Sequence, residues 1–158
     1  MNSGNIIWLT GQPGSGKTTL ALELIKKLNK DYKIIHIDGD DLRLINKNKD
    51  YSKNGRIKNI STAISIMRFL ANKRYTCIVS IVAPYRFLRD ELKKDFPFLE
   101  VYLFTDEIRG RENFFAEDYE KPIDKNCLQI DTGKKNIKES RDEILNVYRE
   151  MAAVASRP

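Results

Sequence analysis

Apolar residues recur along the chain with two alternating periods. Asn5 to Thr10 (NIIWLT) is a short apolar run of strand length, followed by a glycine-rich turn. Beyond the turn, Ala21, Leu24, Ile25 and Leu28 recur at helical spacing while Lys26, Lys27 and Lys30 face away. Lys33–Ile37 is predicted as a second strand. Ile57, Ile60, Ile64, Met67 and Ala71 then form another helical stripe, closed by Asn72 and Lys73. Cys77–Val82 reads as a third strand, apolar enough for the centre of a parallel sheet. The pattern continues with a helix over Tyr85–Asp95, a fourth strand over Leu99–Phe104, a short fifth over Cys127–Ile130, and a helix from Ile137 to about Ala153. Strands alternating with helices of these lengths predict βαβ units: an α/β fold with about five parallel strands, covered by helices on both faces. Thr105–Asn126 has mixed charge and poor periodicity, and is expected to form a mobile lid on a single domain spanning 1–158.

Composition narrows the class without naming a chemistry. The chain has 158 residues, 41% hydrophobic and 32% charged, with no Gly/Pro-rich linker and no repeat, so one domain with a real core is expected. The longest apolar run, Cys77–Ala83 broken by Ser80, is far too short to span a bilayer, and no membrane partner is expected. The first strand begins at Asn5, which leaves no room for a signal peptide. Cys77 lies in an apolar run and pairs with Cys127 in no spacing motif, so buried thiols in a reducing cytoplasm are expected. A lone His36 cannot build a metal site. The formal charge of +6 suits anionic partners, either nucleic acid or small phosphorylated molecules. Most lysines sit on the outer sides of helices, and no dense basic run or Arg/aromatic repeat marks an RNA-binding sheet, so nucleic acid is the weaker choice.

Chemistry enters with the turn after the first strand. Gly11, Gly16, Lys17 and Thr18 satisfy G-x-x-x-x-G-K-[ST], between a strand and an amphipathic helix as that pattern requires. Glycines let the backbone wrap phosphate oxygens, and N–H groups converge on them at the helix N-terminus. Gly11, Gln12, Pro13, Gly14, Ser15, Gly16, Lys17, Thr18 and Thr19 are therefore expected to hold ATP. Lys17 would reach the β and γ phosphates and the Thr18 hydroxyl would bind Mg²⁺. The third strand ends in IVAPY without the acid that commonly orders Mg²⁺ there, so an acid must come from elsewhere.

The acid cluster at a predicted strand end is HIDGDDLR, residues 36 to 43. Asp40 and Asp41 sit where a helix cap would fall. Asp38 follows the apolar run directly and should face the ligand crevice, where a carboxylate can take a proton from an attacking hydroxyl. Arg43, and Arg56 with Asn59 at i+3, would present guanidinium and amide groups to an acceptor's anion, or lie as surface side chains on helices.

Taken in order, GQPGSGKTTLA, IHIDGDDLR, NGRIKNI, IVAPYRFLRDEL, VYLF and a late LQIDTG resemble the adenylylsulfate kinase family over roughly the first two-thirds of the chain. The resemblance implies a P-loop NTPase fold and transfer of the ATP γ-phosphate to a ribose 3′-hydroxyl of a nucleoside 5′-phosphosulfate. It also implies a homodimer. Asp38 would be the catalytic base, with Lys17 acting on the transferred phosphate. Arg43, Arg56 and Asn59 would bind the acceptor's phosphate-containing group, and Asp40 would have a role near Mg²⁺-bound water. Val82, Ala83, Pro84 and Tyr85 would shape the acceptor pocket. Asp131 and Thr132 would lie near the ATP base.

After Phe104 the resemblance weakens. The family's R-D-x-K-G-L-Y and F-T-G-I-D-x-P-Y-E-x-P stretches are replaced by RGRENFFAEDYEKPID, which is shorter. Ala83 stands where the family usually has Ser, and Ser61-Thr62 replace a usual Arg-Arg. Arg109 and Arg111 are expected to act from the lid on the transferring phosphoryl group, ahead of Phe114 and Phe115, which are either base-stacking or core residues. The phosphate side is retained and the acceptor side altered. The acceptor is thus either adenylylsulfate or another nucleotide with a substituted 5′-phosphate, such as cytidine 5′-diphosphoramidate of polysaccharide modification. A polynucleotide kinase and a nucleotide switch without transfer are the other readings.

Overall fold

Five strands form one parallel sheet: β1 (Ile6–Thr10), β2 (Ile34–Asp38), β3 (Thr76–Ser80), β4 (Phe98–Phe104) and β5 (Leu128–Asp131), in the order β2-β3-β1-β4-β5. They belong to a computed structural model that describes residues 5–155. The residues before Asn5, on which the signal-peptide expectation falls, and the final Ser-Arg-Pro lie outside the described residues. Parallel neighbours need crossovers, and helices supply them. These are α1 (Lys17–Leu28), α2 (Gly39–Ile45), α3 (Lys53–Asn72), α4 (Arg86–Leu92) and α5 (Ile137–Ala155).

The period-two alternation of each strand splits the core into two layers. Ile6 and Trp8 face Ile60, Ile64 and Met67 of α3 and Leu88 and Leu92 of α4. Ile7 and Leu9 face Leu20 and Leu24 of α1 and Ile144 and Tyr148 of α5. β1 and β3 are buried at every position, which is why their sequences read as continuous apolar runs. From β1 the chain moves outward to β2, and from β3 it crosses back over β1 to β4. The carboxyl ends of the strands at this reversal open the crevice in which an α/β sheet binds ligands. Among the described residues no helix is long and apolar enough to cross a membrane.

Boundaries differ from expectation where a local conformation intervenes. β3 stops at Ser80 because the chain turns away through Ala83 (φ 41°) and Pro84. α4 begins at Arg86, after an extended Tyr85, and stops at Leu92, a few residues before Pro97. β2 runs one residue further than the apolar pattern and takes in Asp38. Thr105–Asn126 contains one short 3-10 turn, Glu112–Phe114, and otherwise no regular element. It is nonetheless docked. The Gln12 side chain accepts from Ala116 N at 2.9 Å and donates to Ala116 O at 2.8 Å. Tyr119 Oη meets Thr10 Oγ1 at 2.7 Å, and Glu120 N donates to Pro84 O at 2.8 Å.

Candidate active site

The β1–α1 turn is built on backbone that side chains would block. Gly11, Gly14 and Gly16 adopt φ of 148°, 82° and 98°. A Cβ on Gly11 would lie 2.1 Å from the Leu103 carbonyl oxygen, so the turn passes β4 closely enough to require glycine. Lys17 folds back over the turn, and its Nζ donates to Gln12 O at 2.8 Å and Ser15 Oγ at 3.3 Å. Burial pushes its ammonium down to about 7, against the opposing pull of Asp38 and Asp40. A phosphate beside Nζ would favour the charged form.

Asp38 closes the floor of the crevice. Its Oδ2 accepts from Thr18 Oγ1 at 2.8 Å and from Ser80 Oγ at 2.6 Å, and its Oδ1 accepts from Asp40 N at 2.9 Å. Burial works against the charge, but the donations from Ser80, Thr18 and the Asp40 amide outweigh it and hold the carboxyl below its usual range. The bond from Asp40 N makes Asp38 the N-cap of α2. This corrects the expectation that Asp40 or Asp41 does the capping; both lie in the first turn of the helix, where acids suit its dipole. Asp38 and Ser80 are direct partners in the β2–β3 ladder. The acid that the end of β3 lacks is therefore supplied one strand over.

Beyond Asp38 lies a cavity of about 270 Å³, lined from α1, α2, α3, the turn after β3 and the lid segment. Arg43, Arg56 and Asn59 all line it, as expected of acceptor residues, together with Asp40, Val82, Ala83 and Pro84. Arg56 is buried, with Nε on Tyr51 O at 3.0 Å and an Nη on Phe114 O at 2.9 Å. Arg43 is tied to Asp50 O at 2.7 Å and lies 4.2 Å over the Tyr51 ring. Asn59 donates to Gly39 O, and its buried Oδ1 has no hydrogen-bond partner. Tyr85 does not line the cavity. It is buried behind the turn, with its hydroxyl 3.5 Å from Asp118, because Pro84 rather than Tyr85 faces inward.

On the other side of the turn a cavity of about 550 Å³ is lined by Gly16, Thr19, Leu20, Arg109, Thr132 and residues 135–138 and 140. Thr132 Oγ1 donates to Ser15 O at 2.9 Å, which brings the turn after β5 beside the phosphate cradle. Arg109 donates to Gly14 O at 3.1 Å and Thr132 O at 2.9 Å. Asp131 lines neither cavity; its carboxylate accepts from Gly133 N and braces the turn. Gln12 likewise lines neither, being committed to Ala116. The two lid arginines divide between the cavities. Arg109 serves the Thr132 side, while Arg111 lies on the Asp38 side, 3.9 Å from Asp40.

Three residues lining the cavity beyond Asp38 were not anticipated or were ranked too low. Ser80 lay hidden in an apolar run, although a lone hydroxyl at a central strand end is the signal for it. Tyr51 sits in a polar loop whose position depends on Gly55, where a Cβ would come 2.1 Å from Asp50 O. Phe114 is 43% exposed and faces Tyr51 with ring centroids 5.4 Å apart, so it is not the core residue of a packed loop.

A parallel sheet in this order, a glycine cradle closed by Lys17-Thr18 and an acid at the end of β2 define the P-loop kinase fold. The chain matches the sequence model of the adenylylsulphate kinase family over residues 3–122, and it belongs to that family. A probable adenylyl-sulfate kinase of Pyrococcus abyssi is 38% identical over 105 residues, 65% of this chain and 60% of that protein. The cytidine diphosphoramidate kinase of Campylobacter jejuni is 33% identical over 136 residues, 82% of this chain and 79% of that protein. Among solved structures, the adenylylsulfate kinase CysC of Mycobacterium tuberculosis superposes with a TM-score of 0.74 at 25% identity, covering 94% of this chain and 99% of that one. The chain thus spans about three fifths of the Pyrococcus relative's length.

Proposed function

We propose that the protein transfers the γ-phosphate of ATP to the ribose 3′-hydroxyl of a nucleotide carrying a substituted 5′-phosphate. The observation that carries this is Asp38, held ionised by three donors at the boundary between the phosphate cradle and the arginine-lined cavity. ATP would lie with its phosphates in the Gly11–Thr19 turn and its base toward Thr132 and Arg109. The acceptor's base would lie against the Tyr51–Phe114 ring pair, and its 5′ anion against Arg43 and Arg56. A hydroxyl poised at Asp38 gives up its proton to the carboxylate as its oxygen bonds to phosphorus, and the bond to the β-phosphate bridging oxygen breaks, leaving ADP. Lys17 and the backbone N–H groups of the turn balance the charge in transit. The Thr18 hydroxyl is an oxygen donor beside the phosphates, as hard Mg²⁺ requires, and would hold that ion, which neutralises phosphate charge when bound. Arg111 reaches the transferring group from the lid, which must open to admit substrate.

Both adenylylsulfate and cytidine 5′-diphosphoramidate have the required chemistry. The altered segment after Phe104, RGRENFFAEDYEKPID, is what favours the second acceptor. A cavity of about 270 Å³ suits a mononucleotide better than a polynucleotide, which needs a long groove. The two free, buried cysteines suit a reducing cytoplasm, and the family resemblance supports a homodimer, which sedimentation equilibrium would establish. Turnover of ATP with a panel of nucleotides tests the acceptor: selective use of adenylylsulfate would sink the diphosphoramidate reading. Asp38→Asn is expected to bind ATP normally and lose phosphorylation of every acceptor by about 100-fold or more. Unchanged turnover would remove Asp38 from the role of base.

A further inference from the structure

We infer that His36 and Ser80 are positioning residues for Asp38, joined in a directed hydrogen-bond chain that aims the carboxylate. The inference rests on Asp38 being the base. His36 and Asp38 occupy alternate positions of β2, so their side chains share a face, and Ser80 lies opposite Asp38 on β3. His36 Nε2 is 2.8 Å from Ser80 Oγ, and Ser80 Oγ is 2.6 Å from Asp38 Oδ2. The direct distance from His36 Nε2 to Asp38 Oδ2 is 4.0 Å, so contact between them passes through the hydroxyl.

The chemistry of the three groups fixes the direction of the chain. An ionised carboxylate only accepts, so the single hydroxyl proton of Ser80 goes to Asp38. Ser80 Oγ then offers a lone pair to His36, and Nε2 must carry the ring proton. The order is Nε2–H to Oγ, then Oγ–H to Oδ2. Each donation polarises the next and strengthens the hold on the carboxylate. Thr18 donates to the same oxygen from α1, and that leaves Oδ1, bonded only to the Asp40 amide, as the oxygen able to receive a substrate proton.

The charges around the chain come from several elements. Asp38 and, from α2, Asp41 face His36, while Lys17 from α1 faces Asp38. Burial holds the imidazole below its ordinary range despite the two acids. Neutral His36 supplies the N–H without a positive charge. Its imidazolium would keep the same bond but add a cation 4.0 Å from the base, and a cation there makes the carboxylate a weaker proton acceptor.

The test is steady-state kinetics across pH on Ser80→Ala, His36→Leu, His36→Gln, the Ser80→Ala/His36→Leu double variant and Asp38→Asn, with ATP affinity measured for each. Ser80→Ala is expected to lower kcat about tenfold, the scale of one hydrogen bond to a charged group, with ATP affinity unchanged. His36→Leu should lower kcat by a similar or smaller factor, and His36→Gln, which keeps an N–H donor that does not titrate, should recover most of that loss. The double variant should be no slower than Ser80→Ala, because both lesions cut one chain. Multiplying losses, or full kcat in both single variants while Asp38→Asn is dead, would overturn the inference and spare the proposed function. Full kcat in Asp38→Asn would overturn both. Should Ser80→Ala fail to fold, Ser80→Cys keeps the buried volume with a weak donor and is expected to lower kcat with ATP affinity unchanged.

Discussion

Lys17 shows how a single residue of this site is tuned by what surrounds it. Its ammonium is buried against the turn that carries it, and burial takes its pKa from 10.5 to about 7. The sign of the linkage follows. Between about 7 and 10.5 the unfolded chain binds the proton that the folded one has released, so stability rises with pH across that window. Below about 7 both states are protonated and the cost of the buried charge is fully present. The thermal midpoint of the nucleotide-free protein, corrected by the same scan on Lys17→Met, should therefore climb from pH 7 toward 10. ATP, which gives the ammonium a partner, should flatten the climb. Asp38 is tuned the opposite way, by donors from three elements, and could not have been assigned that state from sequence. HIDGDDLR shows an acid at a strand end; which of its three acids caps the helix was settled by φ and ψ at Asp38.

At the scale of elements, the loops between regular structure carry the specificity, and close backbone approaches hold them. Residues 46–52 bring Tyr51 over Arg43 because Asp50 O is packed where a Cβ of residue 55 would be. Gly55→Ala is expected to cost about 1–3 kcal/mol of stability, as overpacking does, and to raise the acceptor KM more than the ATP KM. Urea unfolding and two-substrate kinetics would measure the two effects. The lid segment is a comparable case. Its contacts are backbone groups and single polar side chains such as Gln12 and Tyr119, which leave no periodic trace, so the sequence showed only an irregular stretch. Gln12→Ala, which removes both bonds to Ala116, should speed proteolysis within 105–126 and leave the rest of the chain protected.

Across the whole molecule, one buried ion pair ties the lid to the acceptor side. Arg89 is 0% exposed; its Nε donates to Glu100 at 2.8 Å, and its two Nη atoms donate to Ala83 O and Glu120 O, each at 2.6 Å. One side chain thus joins α4, β4, the turn after β3 and the lid. Arg89→Met leaves Glu100 buried with Lys93 alone and should cost about 3–5 kcal/mol. The Arg89→Met/Glu100→Gln double variant should recover part of it, as denaturant midpoints would show. Nothing in the sequence marks this arginine as buried, since its burial depends on β4 and on residue 120 of the lid segment.

The sequence by itself determined the parallel α/β sheet, the phosphate cradle and the acid at the end of β2, because these rest on local periods and on a short contiguous motif whose backbone chemistry is its own. Through a resemblance carried by six short motifs it also singled out Arg43, Arg56 and Asn59, which line one cavity. Tertiary structure alone decided the rest. Strand register set Ser80 opposite Asp38 and His36 beside it. Packing buried Arg89 and turned Tyr85 away from the cavity. The lid's path sent Arg109 and Arg111 to different sides of the cradle and brought Phe114 to Tyr51. Each of these is a contact between residues tens of positions apart, made by side chains whose direction depends on the neighbouring strand or loop, and no spacing along the chain encodes it.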